Sequence, residues 1–199
     1  MADPRHDAVL AHLRRSQQAV ERVAADEKFI AATVAIAERI AASMKSGGKL
    51  LLAGNGGSAS DAQHIAAEFV GRFVNDRPPL AAIALTTDTS ALTSISNDYG
   101  FDHVFERQVR ALGRKGDVFV GISTSGKSPN VVAALKAARE LGLVCIGFTK
   151  DAQTPMHAHC DLVLAVPSDE TALIQQIHIT AAHAICQLVE RELFGAGRS

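Results

Sequence analysis

The chain has 199 residues, of which 47% are hydrophobic and 21% are charged, a composition typical of a globular protein long enough to bury a core. Its 20 basic and 21 acidic side chains nearly cancel, which argues against nucleic acid or an anionic membrane as the main partner and favours a small-molecule ligand. A single domain over residues 1–199 is the expected organisation, since no linker or low-complexity run divides it.

The sequence carries no export or membrane signal that we recognise. Residues 1–15 mix Asp, His and Arg and lack the apolar core of a signal peptide, and no run of eighteen uninterrupted apolar residues occurs. The cysteines Cys145, Cys160 and Cys186 are odd in number and widely spaced, which indicates buried thiols rather than disulfides. We therefore expect a cytoplasmic protein that does not associate with membranes.

Two amphipathic helices are predicted at the start of the chain. Apolar residues recur at helical spacing from His6 to about Met44, with a break near Asp26. Residues 1–46 would form a helical appendage to an α/β core of residues 47–199. Because these helices carry more apolar positions than one sheet face needs, we expect them to pack against neighbouring subunits.

The rest of the chain alternates between strand-like and helix-like segments, a pattern typical of a parallel α/β sheet covered by helices on both faces. The predicted strands are 49–53, 81–85, 117–122, 143–148 and 162–166, and the predicted helical segments are 60–73, 90–112, 129–141 and 171–193.

A glycine-rich loop, Gly54-Asn55-Gly56-Gly57-Ser58, separates the first strand from the next helix. Small residues there let backbone N–H groups and the helix dipole face an anion, so a phosphate site is favoured. A loose dinucleotide-binding motif and a plain structural turn are the alternatives. A dinucleotide site also needs an acidic residue at the end of the second strand, but Asp76 comes before that strand and Asp88 comes late.

A second polar loop, Ser123-Thr-Ser-Gly-Lys-Ser128, follows an apolar strand and precedes Pro129, a favoured first-turn residue of a helix. Its four hydroxyl groups lie where open α/β sheets bind ligands. Ser and Thr also serve as turn and cap residues, but the pairing with the first loop favours a binding function. Lys127 is expected to be solvated.

Candidate acid–base and metal-binding residues lie on two helices. Asp61, His64 and Glu68 share one helical face, and there His64 and Glu68 would bind a divalent metal or Glu68 would act as a base. A packed polar stripe is the alternative.

On the last helix, Gln175 and His183 recur at a four-residue period through Ile179. A hydrogen-bonded core histidine is the alternative interpretation of His183, and His178 is expected to be structural. The segment Met156-His-Ala-His-Cys160 is too short and exposed to enclose a metal alone.

Together these motifs resemble the phosphoheptose isomerases of the sugar-isomerase (SIS) domain group across nearly the whole chain. The residues that carry the resemblance are Ala53-Gly-Asn-Gly-Gly-Ser-Ala59, Asp61-Ala-Gln-His64 with Glu68, Leu85-Thr-Thr-Asp88, Asn97-Asp-Tyr-Gly100, Ser123-Thr-Ser-Gly-Lys-Ser128, and Ile174-Gln175 with His178 and His183.

The resemblance implies a single SIS-type α/β domain with a five-stranded parallel sheet, assembled into a homotetramer by the N-terminal helices, with active sites at subunit contacts. It implies an enzyme that converts sedoheptulose 7-phosphate to D-glycero-D-manno-heptose 7-phosphate for lipopolysaccharide and other bacterial surface polysaccharides. Two alternatives are a non-catalytic tetrameric adaptor that binds the replication initiator and a phosphosugar-sensing module.

The resemblance also implies roles for individual residues. Glu68 and His183 would be the acid–base pair. One zinc ion per subunit would be bound by His64, Glu68, Gln175 and His183. The sugar phosphate would contact Asn55, Gly56, Gly57, Glu68, Asn97, Asp98, Ser123, Thr124, Ser125, Ser128 and Gln175. The chain departs from the family pattern at Gln176, where the family usually has Glu, and at Leu173, where a basic residue is common. The residues that orient Gln175 therefore differ from those of the family.

Overall fold

Two consecutive helices begin the chain, α1 (Pro4–Ala24) and α2 (Glu27–Lys45). Between them, the side chain of Asp26 accepts two backbone hydrogen bonds from the first turn of α2, at 2.9 and 3.3 Å. An aspartate in this position stabilises the start of a helix because it satisfies N–H groups that lack an intrahelical partner. The predicted break near Asp26 is therefore the N-cap of α2.

The computed structural model describes residues 3–195 and builds the core on five strands: β1 Leu50–Gly54, β2 Ala82–Ala84, β3 Val118–Ile122, β4 Val144–Lys150 and β5 Leu162–Val166. All are parallel, in the order β2-β1-β3-β4-β5. The chain forms β2 on one side of β1 and then returns to form β3 on the other side. Such a reversal of strand order is where open α/β sheets bind ligands, and the pairing of Gly54 with Ile122 brings the loops after β1 and β3 side by side.

Five further helices lie against the sheet: α3 Gly57–Val70, α4 Thr89–Tyr99, α5 Val104–Leu112, α6 Pro129–Glu140 and α7 Thr171–Phe194. Leu50 and Leu52 of β1 pack in one apolar cluster with residues of α2, α3 and α7. Leu51 and Ala53 pack in a second cluster with residues of α5 and α6. Because alternate residues of a strand face opposite sides, the sheet is covered on both faces, and the predicted fold class is confirmed.

The structure differs from the sequence prediction mainly at glycines. α3 begins at Gly57, three residues before the predicted start, because Gly56 with a φ of 55° lets the chain turn directly from strand to helix. The helical segment predicted for residues 90–112 is divided at Gly100, which has a φ of 88° and is followed by a short 3-10 helix, Phe101–His103. A second 3-10 helix spans Pro155–His159.

Helix α7 has the length and composition of a membrane span, with 24 residues and a mean hydropathy of 1.2 in its most apolar window. Half of that window is buried inside the fold, where α7 packs on α2 and α3. Burial of this kind is typical of the core helix of a folded domain, and α7 also carries the predicted site residues Gln175 and His183.

The three cysteines are free thiols. Cys145 and Cys186 are buried and Cys160 is partly buried. Burial raises the pKa of each thiol to about 12, so they remain protonated and unreactive at neutral pH. This agrees with the sequence-based expectation of buried thiols.

Candidate active site

Three of the predicted metal ligands come together where α3 packs against α7. His64 and Glu68 are one turn apart on α3, and His64 Nε2 lies 2.9 Å from Glu68 Oε1. His183 of α7 brings its Nε2 to 3.3 Å from His64 Nε2. One ligand atom from each residue lies within 4.8 Å of the other two, so side chains separated by 119 positions in the chain form one cluster.

The donor atoms of this cluster fit a transition-metal ion. Two imidazole nitrogens and a carboxylate oxygen are ligands that zinc accepts. The two ring nitrogens face each other at 3.3 Å, so a proton or a cation must separate their lone pairs. Glu68 and His183 are partly buried and His64 is exposed. The site is therefore open to a small ligand on one side.

Gln175 lies about two turns before His183 on α7, with its side chain against the first loop. A Cβ added at Gly57 would lie 2.8 Å from Gln175 Cδ and 2.9 Å from Oε1. Only a residue without a side chain allows this approach. Gln176 beside it is partly buried, and Leu173 is buried in the core with 5% exposure, which explains why an apolar residue fits there.

The first loop is fastened to the helix that follows the second loop. Asn55 and Asn130 form a reciprocal pair of amide hydrogen bonds, each 2.9 Å long, and Asn130 is 1% exposed. Gly56 caps α3 without a side-chain hydrogen bond. The N–H groups of Ser58 and Ala59 donate to the carbonyl oxygens of Asn55 and Gly56, both at 3.0 Å. Among the described residues, the N–H groups of Gly56 and Gly57 have no such partner, so these two groups and the positive end of the helix dipole suit an anion.

The second loop gathers its hydroxyl groups into a cluster. Ser123 Oγ lies 2.9 Å from Ser128 Oγ and 3.4 Å from Ser125 Oγ, and the backbone N–H of Lys127 donates to Ser125 Oγ at 3.2 Å. Thr124 is partly buried and Lys127 is exposed. These hydroxyls follow β3 directly, beside the loop that follows β1, and together the two loops form a polar cradle.

Asn97 and Asp98 lie in the last turn of α4. Both side chains are exposed, and Asn97 Nδ2 donates to Asp98 Oδ1 at 2.8 Å. Within residues 3–195 this is the one side-chain hydrogen bond that either residue makes, so no hydrogen bond joins these two predicted substrate contacts to the loops.

Two titratable groups near the cluster are perturbed by burial. Burial raises the pKa of Asp61 to about 6, although the nearby His64 opposes the shift, and Asp61 Oδ2 has no hydrogen-bond partner among the described residues. His178 is fully buried, and burial lowers its pKa to about 4. Its Nε2 lies 3.3 Å from the carbonyl oxygen of Thr149, so it packs inside the fold, as expected of a structural histidine.

Side chains of the segment from Met156 to Cys160 also make structural contacts. Met156 is fully buried, and His157 Nδ1 accepts a hydrogen bond from the backbone N–H of Thr154 at 3.2 Å. Among the described residues, one group of His, Cys or acidic side chains has its ligand atoms close enough to share a metal ion. It is the cluster on α3 and α7.

Sequence reasoning missed two residues of the candidate site, one beside the first loop and one beside the metal-ligand cluster. Asn130 follows Pro129 at the start of α6, but its pairing with Asn55 depends on the order of the strands. Phe73 stacks on His183, with ring centroids 5.5 Å apart and planes inclined by 27°. A phenylalanine in the loop after a helix gives no sequence signal of such a contact.

Comparison with known proteins shows the family and the fold of the chain. The family described as SIS domain matches residues 12–150. The chain is 55% identical over 198 residues to the phosphoheptose isomerase of Bradyrhizobium sp. (strain ORS 278), covering 100% of both chains. It belongs to the phosphoheptose isomerase family. A second family member, from Burkholderia pseudomallei (strain 1710b), is 53% identical over 183 residues, covering 92% of this chain and 93% of the relative.

A solved phosphoheptose isomerase has the same fold. The structure from Neisseria gonorrhoeae is 48% identical and superposes with a TM-score of 0.87, covering 93% of this chain and 98% of the other. The resemblance inferred from the motifs is thereby confirmed. The replication-initiator adaptor and the phosphosugar-sensing module are not favoured, since these relatives are named as isomerases.

Proposed function

We propose that this phosphoheptose isomerase family member converts sedoheptulose 7-phosphate to D-glycero-D-manno-heptose 7-phosphate. The observation that carries the proposal is the convergence of Glu68 and His183 at one point beside two loops suited to a phosphate. An aldose–ketose isomerisation needs a base and an acid on adjacent atoms of one sugar, and it needs no redox cofactor. The length of the sugar in this proposal is inferred from the family membership.

The proposed chemistry moves one proton between neighbouring carbons through an enediol. Glu68 removes the proton from C1 of the open-chain ketose, and the proton returns at C2 to give the aldose. His183 transfers a proton between the two oxygen atoms. The short distances within the cluster support this division, because one sugar carbon can lie beside both side chains.

The two loops are proposed to bind the sugar phosphate. Backbone N–H groups at Gly56 and Gly57 and the α3 dipole would face the phosphate oxygens, and the hydroxyls of the second loop would donate hydrogen bonds to it. The proposed phosphosugar contacts are Asn55, Gly56, Gly57, Glu68, Ser123, Thr124, Ser125, Ser128 and Gln175. The reciprocal amide pair between Asn55 and Asn130 supports this by fixing the first loop against α6.

The same cluster is proposed to hold one zinc ion per subunit, through His64, Glu68, Gln175 and His183. When bound, zinc supplies a Lewis acid that polarises the sugar carbonyl. Glu68 would then be both a metal ligand and the base. These two roles compete, because a carboxylate bound tightly to a metal is a weakened base. Either Glu68 would shift its coordination during turnover, or the metal site would belong partly to a resting state of the enzyme.

The assembly is proposed to be a cytoplasmic homotetramer with active sites at subunit contacts, serving the synthesis of surface polysaccharide. The N-terminal helices support this proposal because Val9, Leu13, Val20 and Ile30 are exposed. A neighbouring subunit would also bring Asn97 and Asp98 to the sugar. A monomer mass by light scattering at micromolar concentration would contradict the tetramer.

The proposed roles of Glu68 and His183 are tested by measuring turnover and zinc content in the same protein samples. The wild-type protein is incubated with sedoheptulose 7-phosphate, and the aldose is followed by NMR. Glu68→Gln keeps the size and a coordinating oxygen but removes the base, so activity should fall by about 10²–10⁴-fold even when zinc is retained. His183→Ala should lose both activity and zinc.

The matched control is Glu140→Gln on α6, where the carboxylate makes a surface ion pair with Arg110 at 2.7 Å. Exposed pairs contribute little to stability, so this variant should retain activity and zinc. Substantial turnover by zinc-loaded Glu68→Gln would rule out Glu68 as the base. The absence of any turnover by the zinc-loaded wild type would reject the proposed reaction.

A further inference from the structure

The loop between α3 and β2, residues 71–80, places an aromatic ring on the candidate acid–base histidine. Phe73 stacks on His183 at a centroid distance of 5.5 Å. The His64 ring lies on His183 at 5.1 Å and is inclined by 60°. The His183 imidazole is therefore flanked by two rings, of which the one from Phe73 takes no part in the proposed chemistry.

The backbone at Phe73 is fixed by a buried carboxylate on α7, about two turns beyond His183. Glu190 Oε1 accepts hydrogen bonds from the N–H of Phe73 and from Arg77 Nε, both at 2.9 Å. Its Oε2 accepts the N–H groups of Val74 and Asn75, both at 3.1 Å. Burial would raise the pKa of Glu190, but these hydrogen bonds outweigh it and lower the pKa below its ordinary value. Glu190 is therefore a charged anchor for the loop.

The partner of Glu190 holds the end of α3. Arg77 donates to the carbonyl oxygens of Phe69 and Glu68, both at 2.7 Å, which are among the carbonyls left without partners at a helix end. The side chains of Arg77 and Glu190 are each 2% exposed. This ion pair, the Arg77–Glu190 clamp, therefore ties the loop to both helices that carry the metal-ligand cluster.

The clamp has a structural role, because Glu190 and Arg77 satisfy backbone groups of the loop and of the end of α3 that would otherwise lack partners. That role does not by itself require an aromatic side chain at position 73. An imidazole rotates about its χ2 bond unless packing restricts it, since that torsion is broad. The Phe73 ring, stacked on His183 with planes inclined by 27°, provides that restriction.

We propose that Phe73, held in place by the Arg77–Glu190 clamp, is a positioning residue that fixes the ring of His183 so that its Nε2 faces His64 and Glu68. The kinetic part of this inference rests on the proposed isomerase function, whereas the parts concerning ring position and metal affinity do not. Among the described residues, Phe73 stacks on His183 and is not stacked on the His64 ring. Its loss should therefore act through His183 alone.

Phe73→Leu tests the proposal because it removes the aromatic face and keeps an apolar side chain. Three quantities are measured: the NOEs between the ring protons of His183 and His64 in the metal-free protein by NMR, the zinc dissociation constant by competition with a chelator, and kcat and KM for sedoheptulose 7-phosphate. We expect the NOE intensities to change, because they depend on the orientation of the His183 ring and not on the ring current of Phe73. We expect the zinc dissociation constant to rise by about 10-fold or more, as for other groups that orient a metal ligand. We expect kcat to fall by about 10-fold and KM to change by less than about 2-fold, because ring orientation affects chemistry more than substrate binding.

Two variants serve as controls. Phe73→Tyr retains the ring and should keep all three quantities near the wild type, whereas a simple loss of packing would not distinguish Tyr from Leu in this way. Val74→Ala alters an exposed neighbour in the same loop and should change nothing. Glu190→Gln weakens the clamp and, where the protein folds, should change the same NOEs between His183 and His64; where it does not fold, Phe73→Leu decides.

The proposal would be overturned if Phe73→Leu kept the wild-type NOEs between His183 and His64 and the wild-type zinc affinity, or if only thermal stability changed. A wild-type protein that binds zinc but converts no sugar would reject the proposed function. The NMR and zinc measurements would still decide the role of Phe73 in that case, so the two failures are distinguishable.

Discussion

Gly57 offers a way to move the Gln175 side chain without replacing it. A Cβ at Gly57 would lie 2.8 Å from Gln175 Cδ and 2.9 Å from Oε1, whereas ordinary van der Waals contact begins at 3.4 Å. The Nε2 atom of Gln175 lies closer still. In Gly57→Ala the amide must therefore move away by roughly one ångström, since protein interiors are packed too tightly to absorb such an overlap. Because the obstacle is the end of a flexible side chain, the backbone can stay in place.

We expect Gly57→Ala to keep its fold and to lose metal affinity. Replacing Gly by Ala at a compatible backbone position changes stability by about 1 kcal/mol or less, which thermal unfolding would check. If Gln175 binds zinc from its position over Gly57, the zinc dissociation constant should rise by about 10–100-fold, measured by chelator competition. Excess zinc should restore part of the turnover.

A double-mutant cycle with Gln175→Ala makes this test specific. In the Gln175→Ala background, Gly57→Ala should have no further effect on zinc affinity, because the side chain that it displaces is already absent. Two independent, additive losses would refute the reasoning. So would a Gly57→Ala protein with wild-type zinc affinity.

Two further predictions concern His178 and the second loop. Burial lowers the pKa of His178 from 6.5 to about 4, so the unfolded chain binds a proton in this range that the folded chain does not. The corresponding stability is complete above pH 6.5 and falls by about 3 kcal/mol as the pH drops to 4; urea unfolding of His178→Gln should show a flatter pH profile than the wild type, and parallel profiles would contradict this. Ser125→Ala and Ser128→Ala should each weaken phosphosugar binding by about 0.5–1.5 kcal/mol in calorimetric titrations, the net scale of one hydrogen bond. Normal binding by both serine variants together with lost binding by Lys127→Ala would show that a charge, not the hydroxyl cluster, holds the phosphate.

The elements and loops of this fold are predictable from sequence because their signals are local. Buried parallel strands read as short apolar runs, and the glycine-rich loop and the serine-rich loop follow two of these runs directly. Since the carboxyl ends of parallel strands share one edge of the sheet, both loops had to meet there once β1 and β3 were neighbours. The spacing of His64 and Glu68 on α3 likewise fixes a shared face without any tertiary information.

The remaining parts of the site depend on packing between distant segments, which no local pattern encodes. His183 reaches His64 only because α7 packs on α3, and the motifs suggested this pairing only through their resemblance to a family. The pairing of Asn55 with Asn130 and the stacking of Phe73 on His183 involve residue types that occur widely in loops and helices. Their roles arise from tertiary contacts alone.

The composition of the proposed ligand set bears on how Glu68 could serve as both ligand and base. His64, Gln175 and His183 would be neutral ligands, so Glu68 would supply the single negative charge. Protons and a metal compete for the lone pairs of histidines and carboxylates, but the Gln175 amide is not protonated at physiological pH. With Glu68 acting as the base, three neutral residues would be left to hold the ion. The positive charge at the site would then be least compensated while negative charge develops on the sugar oxygens. A second carboxylate in place of Gln175 would hold the ion more tightly but would leave less positive charge for the sugar oxygens, which gives a physical reason for an amide at this position.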